Sequence, residues 1–246
     1  IYCPKFLGLP DMIRHSLDGI PPIIDVRIDA RQGRLSKFKA YLEIGSYFGA
    51  GHNIVLKAYY KAWITLRRYN RLLRKGLNPL DAMEHIKNPN DKELILPAKS
   101  NLKFAVLGYP YAIYDSFISV NLLGKLKKMG VSVLTAENIN PLTLALQKNC
   151  GLPKRLFWTF SDAALKAAHY LFRHGRVDAV LHLTAFGCGP DSILNKFIEL
   201  EAKQYRDIPF MTLMIDEHTG EAGMATRLEA FVDMVRRRKE ACPCRN

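Results

Sequence analysis

The sequence predicts an α/β protein: a Rossmann-like parallel-sheet lobe at its C-terminal end, a helical segment before that, and the end of a first α/β lobe at the start. Three observations carry this reading. From residue 101 onward short apolar runs alternate with helix-like stretches, the β-α-β-α rhythm of a parallel sheet. Gly130 and Gly175 stand where helices should close, just before strands begin. Between residues 34 and 88, apolar residues recur at spacings of three and four, which is the period of an amphipathic helix.

Taken in order, residues 1–29 read as loop-rich, punctuated by Cys3-Pro4, Pro10 and Pro21-Pro22, with a short strand at Ile23 to Ile28. Helices follow through 88, interrupted at Gly49-Ala50-Gly51, with Asn78 capping a helix that has Pro79 in its first turn. A polar linker at 89–101 suggests a boundary near 100. Lys103 to Leu107 is the first strand of the last lobe, and Asp115 caps a helix through Lys128. Val131 to Leu134 is the second strand and Pro141 to Gln147 a short helix. Ser161-Asp162 caps a helix through His174, and Val177 to Leu183 is the third strand. Pro190-Asp191-Ser192 opens a helix to about Tyr205, Phe210 to Ile215 is the fourth strand, and the last helix spans about Gly223 to Arg238. The predicted domains are 1–33, the end of an N-terminal α/β lobe; 34–100, helical segment and linker; and 101–246, the Rossmann-like lobe.

Composition narrows the function. With 48% hydrophobic residues the chain can bury a sizeable core, yet no apolar run approaches the length of a membrane span. No signal-peptide pattern opens it. The first residue is Ile1, and Ile1-Tyr2-Cys3-Pro4 reads like a strand running into a turn, so residues upstream of Ile1 are expected in the working protein. Five cysteines at wide, irregular spacing do not form a secreted disulfide framework, which points to a reducing cytoplasm. The net charge of +13 concentrates at Lys57, Lys61, Arg67, Arg68, Arg71, Arg74 and Lys75, and at Arg236-Arg237-Arg238-Lys239. Solvated helix faces explain it, as would a docking face for an acidic partner or for the phosphates of a CoA ester. No nucleic-acid-binding motif accompanies it, so nucleic acid is not an expected partner.

In an open parallel sheet, ligands collect beyond the carboxyl ends of the strands. Three segments fall there. Gly108-Tyr109-Pro110-Tyr111-Ala112-Ile113-Tyr114-Asp115 is either a plain turn or a tyrosine-lined pocket wall. In Ala185-Phe186-Gly187-Cys188-Gly189-Pro190-Asp191-Ser192 a cysteine sits at a helix N-terminus, where exposed N–H groups and the macrodipole favour a thiolate. Such a thiolate suits a metal or a nucleophilic role, and a buried inert thiol is the alternative. Asp216-Glu217-His218-Thr219-Gly220-Glu221-Ala222-Gly223 gathers three carboxylates and a histidine, either as a capping network or for proton transfer beside a cofactor. A fourth segment, Cys3-Pro4-Lys5-Phe6, pairs cysteine with proline, as Fe–S ligands often do. Cys150, Cys242 and Cys244 read as structural or tail residues.

These four segments in this order resemble the acyl-CoA dehydratase activase-related (CoA protein activase) family, which is similar to the D-component subunits of 2-hydroxyglutaryl-CoA dehydratase and to benzoyl-CoA reductase subunits. The resemblance implies two Rossmann-like lobes and a [4Fe–4S] cluster held by three cysteines. It places Cys3 and Cys188 at two ligand positions, shaped by Gly187 and Gly189, and puts the third ligand upstream of Ile1. It further implies low-potential electron transfer linked to CoA-thioester chemistry, either as a 2-hydroxyacyl-CoA dehydratase-like lyase or as a reductase component. The electron comes from an ATP-dependent activator with its own Fe–S cluster, and no ATP-binding loop occurs here. A non-catalytic cluster-binding or activator-scaffold protein is the alternative. Glu217, His218 and Glu221 are the candidates for proton transfer, and Tyr109, Tyr111 and Asp115 for lining the cleft.

Overall fold

The computed structural model describes residues 4–26, 34–88, 100–147, 150–175 and 177–241. The chain forms two compact units, Tyr2–Asn70 and Arg71–Asn246.

The first unit is helical. Where the sequence suggested loop, α1 runs from Pro4 to Ser16. Pro4 sits in its first turn, where a missing N–H costs nothing, but Pro10 lies inside. The helix is fastened at its far end. Arg14 bonds Asp11 at 2.8 Å, Asp25 at 3.0 Å and the Ile23 carbonyl at 3.3 Å, tying α1 to the extended segment after it. That segment forms no strand at Ile23–Val26, and the rest of the predicted strand lies outside the described residues. The helices α2 (Arg34–Tyr47) and α3 (His52–Arg74) follow, parted at the expected glycines, with Gly49 at φ 64°. They approach closely: a methyl group on Gly45 would come within 2.5 Å of the Val55 side chain.

The second unit takes in the end of α3 and opens with α4 (Pro79–Lys87), whose N-cap is Asn78, as predicted. Its sheet comprises β1 (Leu102–Gly108), β2 (Val131–Leu134), β3 (Ala179–Ala185) and β4 (Phe210–Ile215). All pairs are parallel, in the order β2-β1-β3-β4. The fold class expected from the sequence is therefore the one observed. Between the strands lie α5 (Pro110–Tyr114), α6 (Leu122–Lys128), α7 (Pro141–Leu146), α8 (Thr159–His174) and α9 (Gly189–Ala202), with α10 (Glu221–Ala241) last. The central strands are apolar on both faces, as a covered parallel sheet requires. Phe104, Val106, Leu181 and Leu183 pack with Leu126, Leu228 and Phe231 on one face. Ala105, Leu107 and Val180 meet Ala164, Leu171, Leu194 and Ile198 on the other.

Two boundaries differ from expectation for visible reasons. Asp115 does not cap one long helix. Its carboxylate accepts the N–H groups of Phe117 and Ile118 at 2.9 and 2.8 Å, making a turn. Val120 and Asn121 then adopt left-handed conformations before α6 starts, φ 51° and 54°. The predicted caps of α8 serve elsewhere, because the helix begins earlier, at Thr159. The Ser161 hydroxyl meets Tyr109 and Asp162 accepts from Lys166. The third strand also lies two residues later than expected, at Ala179–Ala185.

Candidate functional site

Strand order fixes where a ligand would sit. From β1 the chain moves to β2 on one side and to β3 on the other, so the crevice beyond the carboxyl ends of β1 and β3 is the switch point of the sheet. Two of the sequence-selected loops leave from these ends.

The β1 loop starts at Gly108, with φ 147°. A side chain there would place its Cβ 2.5 Å from the Leu183 carbonyl oxygen, so only glycine lets β1 pass β3 this closely. Tyr109 follows, buried, its hydroxyl 2.9 Å from Ser161 Oγ on α8. Its ring packs against Tyr111 and Phe160, at 5.7 Å from each. Burial pushes the Tyr109 phenol well above its ordinary range, and the nearby charges of Asp191 and Cys188 push the same way. Tyr109 is thus held as a neutral phenol beside the second loop. The two tyrosine rings pack together, with Tyr111 more exposed than Tyr109, while Asp115 turns the chain.

The β3 loop carries Cys188. Phe186 donates its N–H to the Ile215 carbonyl at 2.8 Å, holding the loop to the end of β4. Gly187 takes φ 73°, and a Cβ on Gly187 or on Gly189 would meet nothing within 4 Å, so the backbone on both sides of the cysteine is open. Cys188 is the N-cap of α9, half-buried, with Pro190 in the first turn. Its carbonyl accepts both the N–H and the hydroxyl of Ser192, at 2.9 and 2.8 Å. The sequence expectation of a cysteine at a helix N-terminus is therefore met.

Beneath this loop lies a buried polar chain that the sequence did not announce. Asp191 is 2% exposed and accepts the Ala185 N–H at 3.3 Å. Its other oxygen is 3.3 Å from Nε2 of His182, which is fully buried. The two atoms are within ion-pair distance but off the hydrogen-bonding direction, so neither has a hydrogen-bond partner. The other ring nitrogen of His182 lies 2.8 Å from Asn195 Oδ1, which also accepts the Thr212 hydroxyl at 2.8 Å. With that amide oxygen as the shared acceptor, Nδ1 carries the proton. Nε2 is thus turned towards the Asp191 carboxylate, both buried under the loop that carries Cys188. The only signal in the sequence was a histidine inside an apolar strand.

The β4 loop is placed differently. Asp216 accepts the Thr219 hydroxyl at 2.7 Å and the His218 N–H at 3.1 Å; the Thr219 bond holds its carboxyl below the usual range. Glu217 and His218 are 79% and 86% exposed and lie 3.8 Å from each other. Glu221 accepts from Lys125 of α6 at 2.8 Å, which keeps its carboxyl below the usual range. These bonds fold the loop on itself and tie the start of α10 to α6.

The Cys188 side chain is half-buried and packs against the buried cluster formed with α8 and α9, with open space only at the glycines on either side of it. Among the described residues no group of three or more His, Cys, Asp and Glu side chains converges to hold a metal ion. Cys3, Cys242 and Cys244 lie outside the described residues. Cys150 has φ 44°, and burial pushes its thiol up to about 11, the profile of an inert sulfur. No helix among the described residues is long and apolar enough to cross a membrane.

Residues 1–139 match the family described as "CoA enzyme activase uncharacterised domain (DUF2229)". The match takes in β1 and β2 and ends before β3. No curated protein matches the chain.

Proposed function

Because the chain belongs to the CoA enzyme activase domain family, we propose that it is an iron–sulfur component of CoA-thioester chemistry, with Cys188 as a ligand of a [4Fe–4S] cluster. One observation carries this reading: a cysteine, flanked by glycines with open space around them, caps a helix at the switch point of a parallel sheet. Cys3 is the second ligand in this reading. The bound cluster would supply one low-potential electron for transfer to or beside a thioester. The protein's own groups do the rest. Gly187 and Gly189 leave backbone N–H groups able to approach cluster sulfides. Tyr109 offers a neutral hydroxyl and its neighbours an apolar wall, which keeps water away and helps a reduced centre stay reduced. Glu217, His218 and Glu221 are proposed to move or hold protons once a substrate covers the β4 loop. The electron donor is proposed to be an ATP-dependent activator protein with its own cluster.

Anaerobic reconstitution of the full chain with iron and sulfide tests this. The expected product shows thiolate-to-iron charge-transfer absorption and, after reduction, an EPR signal. Cys188→Ser loses both, and Cys150→Ser keeps both. A Cys188→Ser protein with undiminished iron and an unaltered spectrum would sink the proposal. Addition of an acyl-CoA thioester that changes the EPR signal supports a catalytic component, whereas an indifferent cluster favours an activator scaffold.

A further inference from the structure

We propose that the outward face of α3 is a docking surface for an acidic protein partner, with Trp63 as its anchor. The helix carries Lys57, Lys61, Arg67, Arg68, Arg71 and Arg74 and not one Asp or Glu. Like charges four apart, such as Lys57 with Lys61 and Arg67 with Arg71, repel each other along a helix face. The density therefore works against the helix rather than for it. Elsewhere cations meet carboxylates: Arg14 with Asp11 and Asp25, Lys125 with Glu221, Lys166 with Asp162, Lys239 with Asp178. Among the described residues no carboxylate stands within ion-pair distance of Lys57, Lys61, Arg67 or Arg68.

The same face presents a pre-assembled aromatic cluster. Tyr60 and Trp63 stack with centroids 6.2 Å apart at 24°, and the Arg67 guanidinium lies 4.2 Å from the Trp63 ring centre. Tyr60 and Trp63 are 61% and 41% exposed. Trp, Tyr and Arg are the residue types that carry most of the energy at protein interfaces. Holding them in one arrangement before contact removes part of the ordering cost.

The chemistry of the occupant follows from what is already engaged. Tyr59 packs on Phe38 and Tyr41 of α2, at 6.3 and 5.8 Å, and Val55 presses against Gly45. Leu56 and Leu66 of α3 stay 49% and 54% exposed beside Trp63, so the anchor belongs to a wider apolar patch ringed by cations. Arg67 already covers a face of the indole that a stacking base would need. Surplus positive charge around an aromatic anchor suits a carboxylate-rich protein surface, and a member of an activase family requires a partner enzyme.

Binding to fluorescein-labelled poly-L-glutamate, followed by anisotropy, tests the surface directly. Lys57→Gln/Lys61→Gln/Arg68→Gln should weaken binding about tenfold, and Trp63→Ala severalfold, with unchanged circular dichroism. A matched set of three losses elsewhere, Lys154→Gln/Arg173→Gln/Arg227→Gln, should leave affinity within about twofold. The proposal is overturned if the matched set weakens binding equally, or if Trp63→Ala has no effect. It is also overturned if double-stranded DNA or phosphatidylserine vesicles bind more tightly than poly-L-glutamate and lose the same affinity in the α3 variant. None of these variants touches Cys188, so failure here leaves the cluster reading standing.

Discussion

At the scale of single residues, Gly108 and Gly187 separate two reasons for a glycine. Both have positive φ, but only Gly108 lies against another strand's backbone. Gly187→Ala should therefore cost only the left-handed conformation, about 1–2 kcal/mol. Gly108→Ala must in addition push β1 away from the Leu183 carbonyl, and should cost about 3–5 kcal/mol. Urea unfolding of the two variants checks the ranking, and equal losses would refute the steric account. The site was partly legible at this scale. Cys188 announced itself through its glycines and the proline after it. His182 did not, because a lone histidine in an apolar strand does not reveal that Asp191, nine positions on, will turn back under it. Glu217 and His218 were selected for chemical type, yet a short loop capped by Asp216 and Thr219 leaves their side chains in solvent.

At the scale of elements, the strands were easy to read and the turns were not. Strand β1 stood out because a buried parallel strand must be apolar on both faces, and β4, at the sheet edge with Met214 exposed, stood out as an unbroken apolar run. Helix α1 was obscured by Pro10, and the tie from Arg14 to Asp25, eleven residues on, lies beyond the helix itself. A comparable remote tie holds the end of α3. The Asn138 side chain donates to the carbonyls of Leu73 and Leu77, at 3.0 and 2.8 Å, and accepts the Thr135 N–H at 2.9 Å. Asn138→Ala should remove these bonds, together with the one its Oδ1 accepts from the Thr135 hydroxyl at 3.1 Å, and cost about 1–3 kcal/mol. Hydrogen exchange at the Thr135 amide should accelerate, while exchange in β3 should change only as far as global stability falls. An unchanged Thr135 rate would show that the tie is not formed in solution.

At the scale of the whole molecule, pH bears on stability through a group linking two helices. Glu201 of α9 bonds His169 of α8, and burial pushes its carboxyl above the usual range against the pull of that histidine. A raised native value means that the folded chain binds this proton more tightly than the unfolded one. The contribution is complete below the ordinary carboxylate pKa and fades as pH rises through the native value. Relative to the parent protein, Glu201→Gln should therefore gain stability as pH rises above the ordinary carboxylate range, about pH 4. Thermal melts from that pH upward would show it, and a difference independent of pH would remove Glu201 as the cause.

The central pairing of the sheet has a kinetic consequence. The bond from the Lys103 N–H to the Asp178 carboxylate spans 75 residues, and the β1–β3 ladder starts beside it. Closing a loop of that length carries an entropic cost on the order of 4 kcal/mol before any reward arrives. During synthesis β1 waits beside the ribosome, half-partnered by β2 at best, until the chain has been extended past Ala185. The loop bearing Cys188 follows directly on β3, so that loop and the crevice at the ends of β1 and β3 are completed in the same late step of folding.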